Sequence, residues 1–338
     1  MEASTSLPSK PSRKSTGAYS SGMAALYQKE MSDHINSPRF LIAFILLLVA
    51  SAASIYGAVS SLASAAGSAD SASSVSSDYL FLSLFTTSGS SIPSFASFLA
   101  FLGPLVGIVL GFDAVSRERS QGTLNRLVSQ PIHRDSVING KFLAGVSVIF
   151  LLVFSLGFFV CGFGIIYIGI APTWEEIIRI LAFLLLTVIY ASFWLGLAIY
   201  FSTVCRHAAT AALACIAIWI FVSFFLSMIA GAIASAVYPL TGYGALYNQL
   251  SNYNLTLWLE RVSPYYLFCE AISTILNPNV RSLGITSMNA YSGAVASYLS
   301  VDQSLLLIWP HVVCMLALTL LFFVLSYVSF MRQEIRAN

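Results

Sequence analysis

The stretch Asp113–Lys141, DAVSRERSQGTLNRLVSQPIHRDSVINGK, decides how this chain folds. It carries five basic residues (Arg117, Arg119, Arg126, Arg134 and Lys141) and three acidic ones (Asp113, Glu118 and Asp135). Residues 79–112 before it contain no Lys, Arg, Asp or Glu, and neither do residues 142–174 after it. A charge at the centre of a bilayer costs about 2.5–3.5 kcal/mol on the lenient insertion scale. Both flanking runs exceed the ~20 apolar residues that a spanning helix needs. The island therefore reads as a short aqueous connector between two membrane spans. Its basic excess puts it on the cytoplasmic side.

Inside the island, Leu124, Leu127 and Val128 fall at helical spacing, so a short helix with one apolar edge is expected. Gly122 and Thr123 open it and Pro131 closes it. Two uses fit this pattern. One is a solvated hairpin whose charges hold topology. The other is a docking helix that offers Leu124 and Leu127 to a cytoplasmic partner.

A longer ordered string runs through the same stretch: Glu118, Gly122-Thr123-Leu124, Leu127, Gln130-Pro131, Arg134 and Gly140-Lys141. It resembles the signature of type-2 ABC transporter permeases, in the branch that holds the permease of the nitrous oxide reductase maturation system. The chain departs from that signature at Ser120, where a second acidic residue is common, and at His133, where a small hydroxyl residue is common. The resemblance covers nearly all of residues 23–338 and is sharp in 113–141. It implies that this loop is a coupling helix seated in a groove of a separate ATP-binding subunit. Glu118, Gly122, Thr123, Leu124, Leu127, Gln130, Pro131 and Arg134 are then the coupling residues. ATP and Mg would be bound by that partner, and a second permease copy, identical or not, would complete the pathway.

At 338 residues, 57% hydrophobic and 9% charged, the chain is an integral membrane protein of all-α class. Six spans are expected at about 40–59, 94–112, 142–168, 180–201, 208–232 and 305–330. Thirteen of the sixteen Lys and Arg fall in 1–39, 116–141, 202–207 and 332–338. That asymmetry places both termini in the cytoplasm of a multi-pass cell-membrane protein. Residues 1–22 read as a disordered, Ser-rich basic tail, and no apolar signal-peptide core precedes residue 40. Residues 23–37 put Met23, Leu26, Tyr27, Met31 and Ile35 on one side and Gln28, Lys29, Glu30, Asp33 and Asn36 on the other. An amphipathic interfacial helix along the inner leaflet fits that pattern. Five cysteines without C-x-x-C spacing imply no disulfide framework.

Span two carries Gly103, Gly107 and Gly111, a small-residue stripe for close helix contact, within one subunit or across a dimer. Pro104 would free a carbonyl for a neighbour to satisfy. Residues 60–92 form an external loop. Thr173 and Glu176 make a capping box, with Arg179 in reach of Glu175. The Glu-Glu-Arg order resembles an intramembrane protease motif, but the spacing is one residue short and the required Phe-x-x-x-His is missing. In the large external loop 233–304, Ser263-Pro264 starts an apolar helix that Asn277-Pro278 ends, and it is expected to lie in the outer leaflet or dip into it. Asn254-Leu255-Thr256 is a glycosylation sequon. His311, Cys314 and Met315 form a possible soft-metal set near the outer end of span six.

No phosphate-binding loop, zinc-protease motif or nucleophile elbow occurs, so the chain is not expected to be an enzyme, and nothing points to nucleic acid. The expected activity is that of the membrane permease subunit of an ATP-driven transporter, an exporter. An ATP-independent channel or secondary carrier is the alternative. A membrane-embedded enzyme is a more distant one.

Overall fold

The computed structural model describes residues 15–67, 79–89, 91–122, 134–169, 171–241, 245–278 and 299–332. Among them there is no strand, and six helices are long and apolar enough to cross a membrane. Span one is Pro38–Gly67, span two Phe95–Gly111 and span three Arg134–Ile168. Span four is Trp174–Val204, span five Ala208–Val237 and span six Val301–Arg332. Span five is broken by a π-helical turn at Phe221–Phe225. Five further helices join them: Ser15–Ile35, Leu80–Thr86, Ser116–Ser120, Ala245–Glu260 and Pro264–Leu276. The fold is an all-α, multi-span membrane architecture.

Span four is the centre. Of its most apolar stretch 78% is buried, against 17% for spans five and six. A membrane helix gains little from hiding apolar surface, so close packing must hold this centre. Gly107 and Gly111 supply it. A Cβ on Gly107 would strike the Ala191 carbonyl oxygen, and one on Gly111 would sit 2.8 Å from the Ala198 Cβ. At Gly103 the nearest atoms belong to the Tyr190 ring, at an ordinary 3.7 Å. The stripe therefore packs span two on span four within one chain.

Pro104 has no N–H, so the Ala100 carbonyl loses its helical donor. The buried Tyr190 hydroxyl donates to that carbonyl at 3.2 Å, which repairs the gap. The same ring stacks on Phe268 at 4.2 Å, drawing the Pro264–Leu276 helix onto span four. That helix begins as expected, with the Ser263 hydroxyl accepting from Tyr266 and Pro264 in its first turn. Leu267, Phe268, Ala271, Ile272, Ile275 and Leu276 are all buried, so the helix packs on the bundle. Apolarity told us that this helix avoids water. It could not tell lipid from protein as the cover.

Other extents also differ from the sequence reading. The N-terminal helix begins at Ser15, inside the stretch expected to be a tail. Residues 60–92 hold the end of span one and the Leu80–Thr86 helix, whose Phe85 packs edge-on against Phe95 and Phe183. Span three begins at Arg134, about two turns before the apolar run.

Alanine at Gly107 or Gly111 forces span two off span four and should cost about 1–3 kcal/mol. Alanine at Gly103 should be tolerated. Thermal unfolding of the three purified variants in detergent checks this, with melting lowered for the first two alone.

Candidate functional site

The ends of the Asp113–Lys141 island do not hang in solvent as a linker. They continue spans two and three, and Asp113, Glu118 and Lys141 are paired. Lys141, 5% exposed, places Nζ 2.9 Å from Glu30 Oε1 and 2.8 Å from Glu118 Oε1. Glu30 belongs to the N-terminal helix, Glu118 to the Ser116–Ser120 helix and Lys141 to span three. One ammonium thus joins three elements. The sequence pattern had put Glu30 on the solvated side of its helix. A cation on span three turns that side inward.

Apolar packing supports the junction. Leu26 of the N-terminal helix is buried with Val115, Val137, Ile138 and Phe330. Its side chain fills the space beside Gly140, where an added Cβ would meet it at 3.1 Å. Tyr27 donates to the Ser147 hydroxyl at 2.9 Å. The apolar face read as membrane-facing is thus partly a protein-packing face. Arg39 at the start of span one pairs with Asp113, in a very short contact. Span four closes the set: the Ser202 hydroxyl accepts from the amides of Val115 and Ser116, and Arg119 donates to the Thr203 carbonyl.

The coupling residues divide accordingly. Glu118 sits in the ion cluster. Gly122 ends the Ser116–Ser120 helix at φ +67°, a left-handed conformation that glycine adopts without strain. Arg134 is the first residue of span three. Thr123, Leu124, Leu127, Gln130 and Pro131 lie outside the described residues, as does the expected coupling helix.

The opposite end of the bundle holds two further charged knots. The Thr173–Glu176 capping box is formed. Arg179, 1% exposed, bonds Glu175 at 3.0 Å, the Ile275 and Leu299 carbonyls at 2.9 and 2.6 Å, and Ser304 at 3.1 Å. Tyr79 donates to Glu175 and the Phe81 amide to Glu176, so the first loop is bound to the same spot. The protease-like order is therefore a structural fastening.

The second knot escaped the sequence reading. Glu270 is buried, with Arg261 at 2.8 Å and His311 Nε2 at 2.8 Å. Burial pushes its carboxyl upward, but the hydrogen bonds from His311 and Arg261 outweigh that and hold it at about 2. A signal was present: a lone carboxylate in the apolar run PYYLFCEAISTIL needs a buried partner.

This knot takes up Nε2 of His311, one residue of the soft-metal set. His311 and Met315 are buried on the packed strip of span six, while Cys314 is exposed off it. Among the described residues no group of three or more His, Cys, Asp or Glu could hold a metal. Asn254 is exposed on the Ala245–Glu260 helix, and Thr256 of its sequon donates to the Asn252 carbonyl.

Six apolar crossings, a span-four core and a charged junction at the root of the second-to-third-span loop define a polytopic membrane protein. The model of the family described as ABC-2 family transporter protein matches residues 24–335, and the chain belongs to that family. Two curated relatives carry the name "Probable ABC transporter permease protein NosY". The one from Stutzerimonas stutzeri is 32% identical over 133 residues, and the one from Pseudomonas aeruginosa is 29% identical over 133 residues. Each match spans 39% of this chain and 41% of the relative.

Replacing Lys141 with Met strands two carboxylates and should cost about 3–5 kcal/mol. Adding Glu30→Gln and Glu118→Gln to that variant should recover most of the loss, read as melting temperature in detergent. Glu270 gives a pH test. A depressed carboxyl stabilises the fold above its ordinary value of 4.5 and loses that contribution as pH falls toward about 2. The melting gap between wild type and Glu270→Gln should therefore be full at pH 6 and narrow as pH falls from 4.5 to 3.

Proposed function

We propose that this chain is the membrane-spanning permease subunit of an ABC exporter whose ATPase is a separate subunit. Family membership over residues 24–335 is the observation that carries this reading. The ATPase binds ATP and Mg, and this chain hydrolyses no nucleotide by itself. The partner's groove receives residues 123–131, with Leu124 and Leu127 as the apolar contacts. ATP binding and hydrolysis then move the loop.

The ion cluster supports a path for that force. Glu118 stands at one root of the loop and Lys141 just beyond the other, so a pull on either root meets both. Glu30 passes it to the N-terminal helix. Ser202 and Thr203 pass it to span four. Spans two and three thus rock as a pair against the centre. Spans five and six, 17% buried, offer the surface for a second permease copy. The basic bias of the loop ends supports a cytoplasmic loop and cytoplasmic termini in a cell-membrane protein.

Co-expression with a candidate ATPase and pull-down tests the docking. Wild type should retain the ATPase and Leu124→Asp should lose it, with transport dependent on ATP. Transport without nucleotide would establish the channel or carrier alternative instead. Labelling of Ser120→Cys from inside intact cells should succeed, and reaction only from outside would invert the topology.

A further inference from the structure

Span five is two helices joined by an irregular turn. At Phe221–Phe225 the backbone widens to a π-turn, in which the Leu226 amide bonds the Phe221 carbonyl five residues back. The two halves pack on different partners. The first, Ala208–Ile220, buries Ala211, Cys215 and Trp219 and packs on spans two and four. Its Trp219 ring meets Phe101 of span two at 5.0 Å. The second, Leu226–Val237, buries Ala230 and Ala234 and packs on the Ala245–Glu260 helix. Asn252 donates to the Tyr238 carbonyl at 2.9 Å and Ser227 donates to Glu260, so the two legs of this hairpin are fastened along their length. Among the described residues, the Ala245–Glu260 helix packs on no other element to a comparable extent.

Both chain connections of the hairpin come to one place. The Ser263 hydroxyl donates to the Val222 carbonyl at 3.1 Å, so the exit from the hairpin touches the π-turn at its entry. Arg261, two residues earlier, holds Glu270, and Glu270 holds His311 of span six. The Pro264–Leu276 helix that follows is seated on span four through Phe268. The hairpin thus hangs from a packed body by one line of contact. Beside that line, Trp219 Nε1 and Ser223 Oγ are shut from solvent and bond nothing among the described residues. Buried polar atoms are nearly always bonded. Two exceptions at one turn fit a segment with a second arrangement, in which they find partners.

We propose that residues 226–260 are a flap that swings as one body, on a hinge made by the π-turn Phe221–Phe225 and the Arg261–Ser263 turn. Ser263 pins the two connections together, and Arg261 bound to Glu270 sets the resting angle. The Ala245–Glu260 leg has 16 residues, so at 1.5 Å per residue it is about 24 Å long. A bend of about 20° at a π-turn then displaces the far end by about 8 Å. Use of the flap as the outward gate of a transport path rests on the permease reading above. The swing itself does not.

Spin labels on the full chain in phosphatidylcholine nanodiscs test the swing, with the five native cysteines replaced by alanine. All label positions are exposed. Tyr247→Cys with Trp174→Cys spans flap and body. Tyr247→Cys with Ile233→Cys stays within the flap, and Trp174→Cys with Leu306→Cys stays within the body. Distance distributions should be narrow for the last two pairs and about 8 Å wider for the first. Deleting Ser223 takes the extra residue out of the π-turn and should narrow the first pair to the width of the others. Ser263→Ala removes the donor to Val222 and should widen it, an arm that stands even where the deletion variant fails to fold. Equal widths for all three pairs, in the parent chain and in Ser263→Ala, overturn the hinge. So does a within-flap pair as wide as the flap-to-body pair, because the hairpin is then no single body. With an ATPase that the pull-down has shown to bind, ATP should shift the flap-to-body distance, and no shift overturns the gate role. A failed pull-down removes the permease reading and leaves the measured swing standing.

Discussion

Everything charged in this protein must answer to the cost of a charge away from water. A lone carboxylate or ammonium in a low-dielectric interior loses several kcal/mol, and only a close partner returns it. The described structure meets that demand by collecting its buried charges into a few knots at the two ends of the bundle. Lys141 holds two carboxylates at one end. Arg179 and Glu270 anchor separate knots at the other. Each knot joins helices that are distant in sequence, so the ion pairs also fix which helices are neighbours.

Between the knots, the middle of the bundle is held by shape. Span four is wrapped on most sides, and its contact with span two is close enough that the backbone of one touches the glycines of the other. Tyr190 shows how much one side chain can settle there. Its hydroxyl repairs the hydrogen bond that Pro104 removes, and its ring seats Phe268. The loop that follows is rooted on two helices, spans two and three, and not on one alone.

Membership of the ABC-2 family and the charged junction meet at the same residues. Glu118 and Lys141 stood out in the sequence as parts of an ordered string, and the structure brings them within 2.8 Å across 23 positions. Gly122 holds a left-handed backbone at the end of the Ser116–Ser120 helix. The string thus marks a junction where helices are joined by charge.

By itself the sequence determined the class, the number of crossings and the local signals. Long apolar runs need no partner to be read, because hydropathy and helix length depend only on neighbours along the chain. The Thr173 cap, the Ser263-Pro264 helix start and the need to repair Pro104 were legible for the same reason. The tertiary structure alone decided which polar side chains face one another. Glu30 turned inward because Lys141 waits there, and the Pro264–Leu276 helix packs on the bundle because Tyr190 and span six receive it. His311 took a carboxylate partner, and Cys314 turned away from it. Such choices hang on distances between residues about 40 to 110 positions apart. Spacing along one helix carries no information about them.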